Sequence, residues 1–235
     1  MNESLRREWA LLTGAGLAAL SAAAYFRPWS IAGSLPVWAW SSWLLYRGLA
    51  DNRRRGDAEI QPELGAPTRV TMFRGLLVAL AAGYLPVPSV LAPAYTAAAI
   101  LDGVDGRLAR LWKRETLLGS RLDMEVDAAG ILAASFGGIL LEKLPLWYLA
   151  VGLARYVFVL GSAARSRAGK PIRDLDASDL RRLLAGLQMG FLAVALWPQV
   201  PQAVSLPAAY PFGAATLFMF LRDWLFVSHR LRGAV

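Results

Sequence analysis

Four aspartates, Asp102, Asp105, Asp123 and Asp127, fall within 26 residues of a chain that is otherwise strongly apolar. Asp102 and Asp105 are three residues apart and Asp123 and Asp127 four apart, so on helices each pair projects from one face. Two such faces turned toward each other enclose four carboxylates, whose mutual repulsion is tolerable only with cations among them. Oxygen ligands without His or Cys point to Mg²⁺, Mn²⁺ or Ca²⁺ and away from zinc. Two such ions can clamp the attacking and leaving oxygens of a phosphoryl displacement, a pattern that suits a diphosphate substrate. Gly106, Ala109 and Gly119 leave room for helices or a ligand beside the backbone, and Arg110 can offer a fixed positive charge to phosphate oxygens. The plain alternative is that the aspartates pair with Arg107, Arg110, Lys113, Arg114 and Arg121 at the level of the lipid headgroups.

Composition says where these charges must sit. Of 235 residues, 56% are hydrophobic and 18% charged, with a mean hydropathy of +0.41, beyond what a soluble domain shows. Apolar runs of bilayer length fall at about 9–26, 29–46, 70–89, 91–106, 119–141, 146–164, 183–200 and 206–227. Pro28, Pro36, the prolines at 86 and 88, Pro93, Pro145 and the stretch at 197–207 are read as the breakers between them. The sequence therefore predicts an all-α, polytopic transmembrane helical bundle. The N-terminal run is too long for a signal peptide and is read as a retained helix. There is no cysteine, so neither disulfides nor thiolate metal sites arise. The single histidine, His229, marks the end of the last helix.

A net charge of +8 could suggest nucleic acid, yet the basic residues punctuate the apolar runs and no nucleic-acid partner is expected. With eight spans, one side receives Arg6, Arg7, Arg47, Arg53, Arg54, Arg55 and Arg69, then Arg107, Arg110, Lys113 and Arg114. It also receives Arg165, Arg167, Lys170, Arg173, Arg181, Arg182, Arg230 and Arg232, whereas the other side holds Arg27 and Lys143. The positive-inside rule makes the rich side cytoplasmic, with both termini and the aspartates on it, in a protein expected in the cell membrane. Residues 1–49 read as an N-terminal transmembrane helix pair and 50–66 as a cytoplasmic linker, an interfacial helix or a solvated loop. Residues 67–235 hold the other six apolar runs.

Residues D102-G-V-D105-G106-R-L-A109-R110, eight further residues, then G119-S-R-L-D123-M-E-V-D127 match DxxDGxxAR(x8)GxxxDxxxD at every fixed position. The chain thereby resembles the CDP-alcohol phosphotransferase (CDP-alcohol phosphatidyltransferase) family. The segment from Pro67 to Arg74 resembles the opening of that family's first helix. The resemblance implies that residues 67–235 are a six-helix catalytic core, here preceded by two extra N-terminal transmembrane helices. It implies transfer of a substituted phosphate group from a CDP-linked donor to an alcohol, with release of CMP and two divalent ions, Mg²⁺ or Mn²⁺. Asp102, Asp105, Asp123 and Asp127 would bind the metals, with Asp127 the general base. Asp102, Asp105, Gly106, Ala109, Arg110 and Gly119 would line the CDP site. A homodimer embedded in the lipid bilayer is implied as well.

The expected donor is CDP-diacylglycerol and the acceptor a polar alcohol. A phosphorylated polyol such as glycerol phosphate or inositol phosphate is favoured, with serine or an unphosphorylated polyol next. Basic residues that could meet such a phosphate are Arg155, Arg165, Arg167, Lys170 and Arg173; Arg155 falls near the bilayer midplane, where the alternative is an ion pair, for example with Asp223. Rival readings are a CDP-choline or CDP-ethanolamine phosphotransferase acting on diacylglycerol, a cation transporter, and a catalytically silent membrane scaffold. Trp38, Trp40, Trp43, Trp147 and Trp197 are expected to anchor helix ends at the interface and not to form a choline cage.

Overall fold

The computed structural model describes residues 3–54, 56–57, 59–112, 116–175 and 178–229, with the side chains of 104–112 left outside that description. Eight α-helices lie among the described residues. They are α1 (Glu3–Phe26), α2 (Ile31–Gly48), α3 (Ala66–Gly83), α4 (Pro88–Trp112), α5 (Leu117–Leu140), α6 (Leu149–Arg167), α7 (Asp179–Ala195) and α8 (Gln202–Val227). Each expected apolar run corresponds to one helix, and the molecule is an all-α membrane bundle. Three segments, Glu3–Phe26, Leu146–Arg167 and Gln202–Val227, are long and apolar enough to cross a bilayer by length and composition alone.

Three of the prolines read as breakers do not break. Pro36 lies inside α2, Pro93 inside α4 and Pro207 inside α8, each the sixth residue of its helix, and Pro211 follows within α8. A proline this close to a helix start removes only one backbone bond beyond the donors that are orphaned anyway, which neighbouring helices in a bundle accommodate. The true boundaries fall where proline coincides with a turn. α3 opens with Pro67 in its first turn, where the missing N–H has no helical partner to lose.

α3 lies at the centre, packed on α2, α4 and α5; α5 continues onto α6, and α7 bridges α4 and α8. Leu45, Met72, Val78, Leu122 and Val126 fill the half of the core nearest α1 and α2, while Leu91, Tyr95, Ala134, Tyr148 and Leu192 fill the other half. In lipid no hydrophobic force drives helix against helix, so close approach depends on small residues. α2 and α3 cross at Gly33 and Gly83: a Cβ on Gly33 would overlap the carbonyl oxygen of Ala82, and one on Gly83 would overlap the Ser34 hydroxyl.

Trp38 is not an interfacial anchor. It is buried between α1 and α2 against Gly16, and its indole N–H donates to the Thr13 carbonyl at 3.1 Å. Its place on the face of α2 turned to α1 outweighs the general preference of tryptophan for headgroups. Trp40 and Trp43 do face outward, stacked at 4.9 Å.

The α2–α3 crossing yields a direct expectation. Gly33→Val should destabilise the protein by about 1–3 kcal/mol through overpacking, read as a lower melting temperature in detergent. Gly14→Ala, at a position with nothing within 4 Å of the added carbon, should leave melting unchanged.

Candidate active site

Three of the four aspartates converge. Asp102 comes from the C-terminal half of α4, and Asp123 and Asp127 come from successive turns of α5. One carboxylate oxygen from each lies within 4.8 Å of the others. Asp105 shares α4 with Asp102, but its side chain, like those of Gly106, Ala109 and Arg110, lies outside the described residues.

At the centre of the three carboxylates is a residue that motif reasoning did not assign, Arg74 of α3. Its Nη1 lies 3.0 Å from Asp102 Oδ1 and closer still to Asp123 Oδ1, and its Nη2 pairs with Asp127 Oδ1. Its Nε donates to the Ala98 carbonyl at 3.3 Å, one helical turn before Asp102. The guanidinium is therefore held by α4 and α5 while its stem rises from α3. The Arg74 side chain is 2% exposed, whereas those of Asp102, Asp123 and Asp127 are 32%, 38% and 27% exposed. The cluster has a sealed side, closed by Arg74, and an open side that water or a ligand reaches. Three carboxylates share one guanidinium, so the open side remains attractive to cations.

The start of α5 is built for close approach. Thr116 caps it, its hydroxyl accepting from the Gly119 N–H at 3.0 Å. A Cβ on Gly119 would lie 3.1 Å from the Thr68 hydroxyl of α3 and 3.2 Å from that of Thr116. Gly119 thus lets α5 begin tight against the first turn of α3, with Asp123 and Asp127 following one and two turns later.

The proposed acceptor residues are placed differently from one another. Arg155 of α6 pairs with Glu125 at 2.7 Å, not with Asp223, which pairs with Arg181 at 3.3 Å. Glu125 is two residues from each of Asp123 and Asp127, so it faces away from them by about 160–200° around α5. Arg165 donates to the carbonyls of Pro171 and Ser228 at 3.2 and 3.3 Å, and the Arg173 guanidinium lies over the Phe226 ring at 5.5 Å. These two gather at the end of α8, while Arg167 and Lys170 are exposed at the end of α6.

A profile described as CDP-alcohol phosphatidyltransferase matches residues 64–222. The chain belongs to this family and is a membrane-embedded transferase, which sets aside the transporter and scaffold readings. Among similar proteins is a CDP-diacylglycerol–glycerol-3-phosphate 3-phosphatidyltransferase of Yersinia enterocolitica, 30% identical over 145 residues, covering 57% of this chain and 78% of the relative. A protein of the same description from Sodalis glossinidius is 26% identical over 181 residues, covering 72% of this chain and 98% of the relative. No solved structure gives a significant match.

Arg74 was missed because its partners lie 28, 49 and 53 positions away. The available signal was a lone arginine inside the apolar stretch TMFRGLLVAL, which at that depth must face a counter-charge. Arg74→Gln should destabilise the protein by about 3–5 kcal/mol, the usual result of stripping one member from a buried ionic group. Arg74→Lys should recover only part of this loss, since an ammonium lacks the fork that reaches three carboxylates. Thermal unfolding in detergent, with Asp127→Asn added to Arg74→Gln to relieve the stranded charge, checks both.

Proposed function

We propose that the chain transfers a phosphatidyl group from CDP-diacylglycerol to glycerol 3-phosphate, releasing CMP, at the cytoplasmic face of the cell membrane. The observation that carries this reading is the convergence of Asp102, Asp123 and Asp127 on one half-open cluster in a chain whose relatives bear the name of that reaction. The distribution of Lys and Arg supports the cytoplasmic orientation of the cluster and of both termini.

The donor set suits a hard divalent cation. All candidate ligands are carboxylate oxygens, and their 4.8 Å spread is close to the roughly 4.2 Å that separates opposite ligands of an octahedral Mg²⁺. Asp102, Asp105, Asp123 and Asp127 would hold two Mg²⁺ or Mn²⁺ ions. Such ions, when bound, neutralise a diphosphate and make CMP a better leaving group.

The remaining chemistry belongs to the side chains. Arg74 engages Oδ1 of Asp127, orienting the carboxylate so that Oδ2 takes the proton of the acceptor hydroxyl. That hydroxyl oxygen forms the new bond to the phosphorus bearing diacylglycerol, and the bond from this phosphorus to the CMP oxygen breaks. Gly106, Ala109, Arg110 and Gly119 line the nucleotide side. Arg165, Arg167, Lys170 and Arg173 meet the acceptor phosphate, with Arg165 and Arg173 steadied against the end of α8; the charge of Arg155 is already matched by Glu125.

Purified protein given CDP-diacylglycerol, Mn²⁺ or Mg²⁺ and a panel of alcohols should release CMP with glycerol 3-phosphate and stop when EDTA is added. Release with CDP-choline and diacylglycerol instead would reverse the substrate roles. Asp127→Asn should lower kcat by about 10²–10⁴-fold, the usual share of a general base, while donor binding is largely kept. Full turnover in that variant would remove Asp127 as the base.

A further inference from the structure

Residues 1–63 precede the part of the chain that the family profile matches, and the segment between α2 and α3 within them is tightly built. Among its described residues no α-helix forms after Gly48; a single 3₁₀ turn, Leu49–Asp51, continues α2. Asn52 is fully buried: its Nδ2 donates to the carbonyls of Gln61 and Glu63 at 3.1 and 2.9 Å, and its own carbonyl accepts from the Gln61 N–H at 2.7 Å. One side chain thus draws both ends of the segment together.

The closed segment is then fastened at two places. At one end the Arg53 carbonyl accepts from the Leu117 N–H at 3.0 Å, Arg54 bridges Thr116, and Arg121 donates to Asp51 at 2.5 Å. These are the first residues of α5, whose opening N–H groups have no helical partner of their own. At the other end the Leu64 N–H donates to Glu8 of α1 at 3.2 Å.

We propose that this strap is a positioning element of the donor site: it pins the first turn of α5, and with it Gly119, against Thr68 of α3. The inference rests on the reading that the CDP end of the donor lies beside Gly119. The aspartates one and two turns further along α5 are fixed separately, by Arg74. Loosening the strap therefore affects the nucleotide edge while leaving the carboxylate cluster assembled. This specific split distinguishes a positioning role from general stabilisation. It also gives the N-terminal helix pair a task, since the strap continues from α2 and is tied to Glu8 of α1.

The test uses the full chain. Asn52→Ala should raise the KM for CDP-diacylglycerol by about tenfold, as expected for losing buried hydrogen bonds that hold a binding edge, with the acceptor KM and Mn²⁺ affinity unchanged. Deuterium uptake across residues 116–122 should quicken in the same variant. Should Asn52→Ala not fold, the surface pair serves instead. Asp51→Arg and Arg121→Asp should each raise the donor KM by about threefold, the scale of an exposed ion pair, and their combination should restore it. Faster uptake at 116–122 with an unchanged donor KM, an equal rise in both KM values, or no rescue in the exchanged pair would overturn the strap while leaving the transferase reading intact. Absence of CMP release by the unaltered protein would overturn both.

Discussion

A guanidinium buried in the heart of a membrane bundle is the constraint around which this molecule is arranged. Arg74 cannot be left unpaired there, and its partners come from two other helices, so α3, α4 and α5 are locked in one register. Such a cluster is weak grounds for stability, because desolvation offsets much of the attraction. Its value is specificity of position: any slip of α4 or α5 by one turn would strand either the arginine or a carboxylate. Small residues at the crossings, such as Gly33 and Gly83, allow the approach that the charges then fix.

The same arrangement leaves a site that is asymmetric in both charge and exposure. Arg74 seals the inner side and cancels one of three negative charges, so the excess is displayed only toward the open side. The proposed divalent ions and a diphosphate can therefore enter from the aqueous edge without disturbing the inner pairing. A donor with a polar nucleotide and two acyl chains has the matching shape, since its diphosphate belongs at the interface and its tails in lipid. The proposed strap between α2 and α3 extends this logic to the proposed nucleotide edge, where the start of α5 is held by backbone bonds together with the Arg121–Asp51 pair.

The helices and the aspartate motif were legible in the sequence for definite reasons. A bilayer demands runs of about 20 apolar residues, and eight such runs became eight helices; the motif announces itself by fixed spacing along only two helices. Contacts across the bundle were hidden. Nothing local says that Arg74 reaches Asp102, Asp123 and Asp127, that Arg155 chooses Glu125 over Asp223, or that Asn52 closes a strap. Pro36 and Pro93 misled because proline opposes helices in general but little near their first turns, and Trp38 because tryptophan favours interfaces in general but packs inward when its helix face turns that way.

Anomalous scattering at the manganese edge, from crystals of the protein grown with Mn²⁺, addresses the central claim most directly. The peaks should lie among the carboxylates of Asp102, Asp123 and Asp127 on their open side, with Arg74 still paired beneath them. Manganese bound elsewhere while these carboxylates stay occupied only by Arg74 would contradict it.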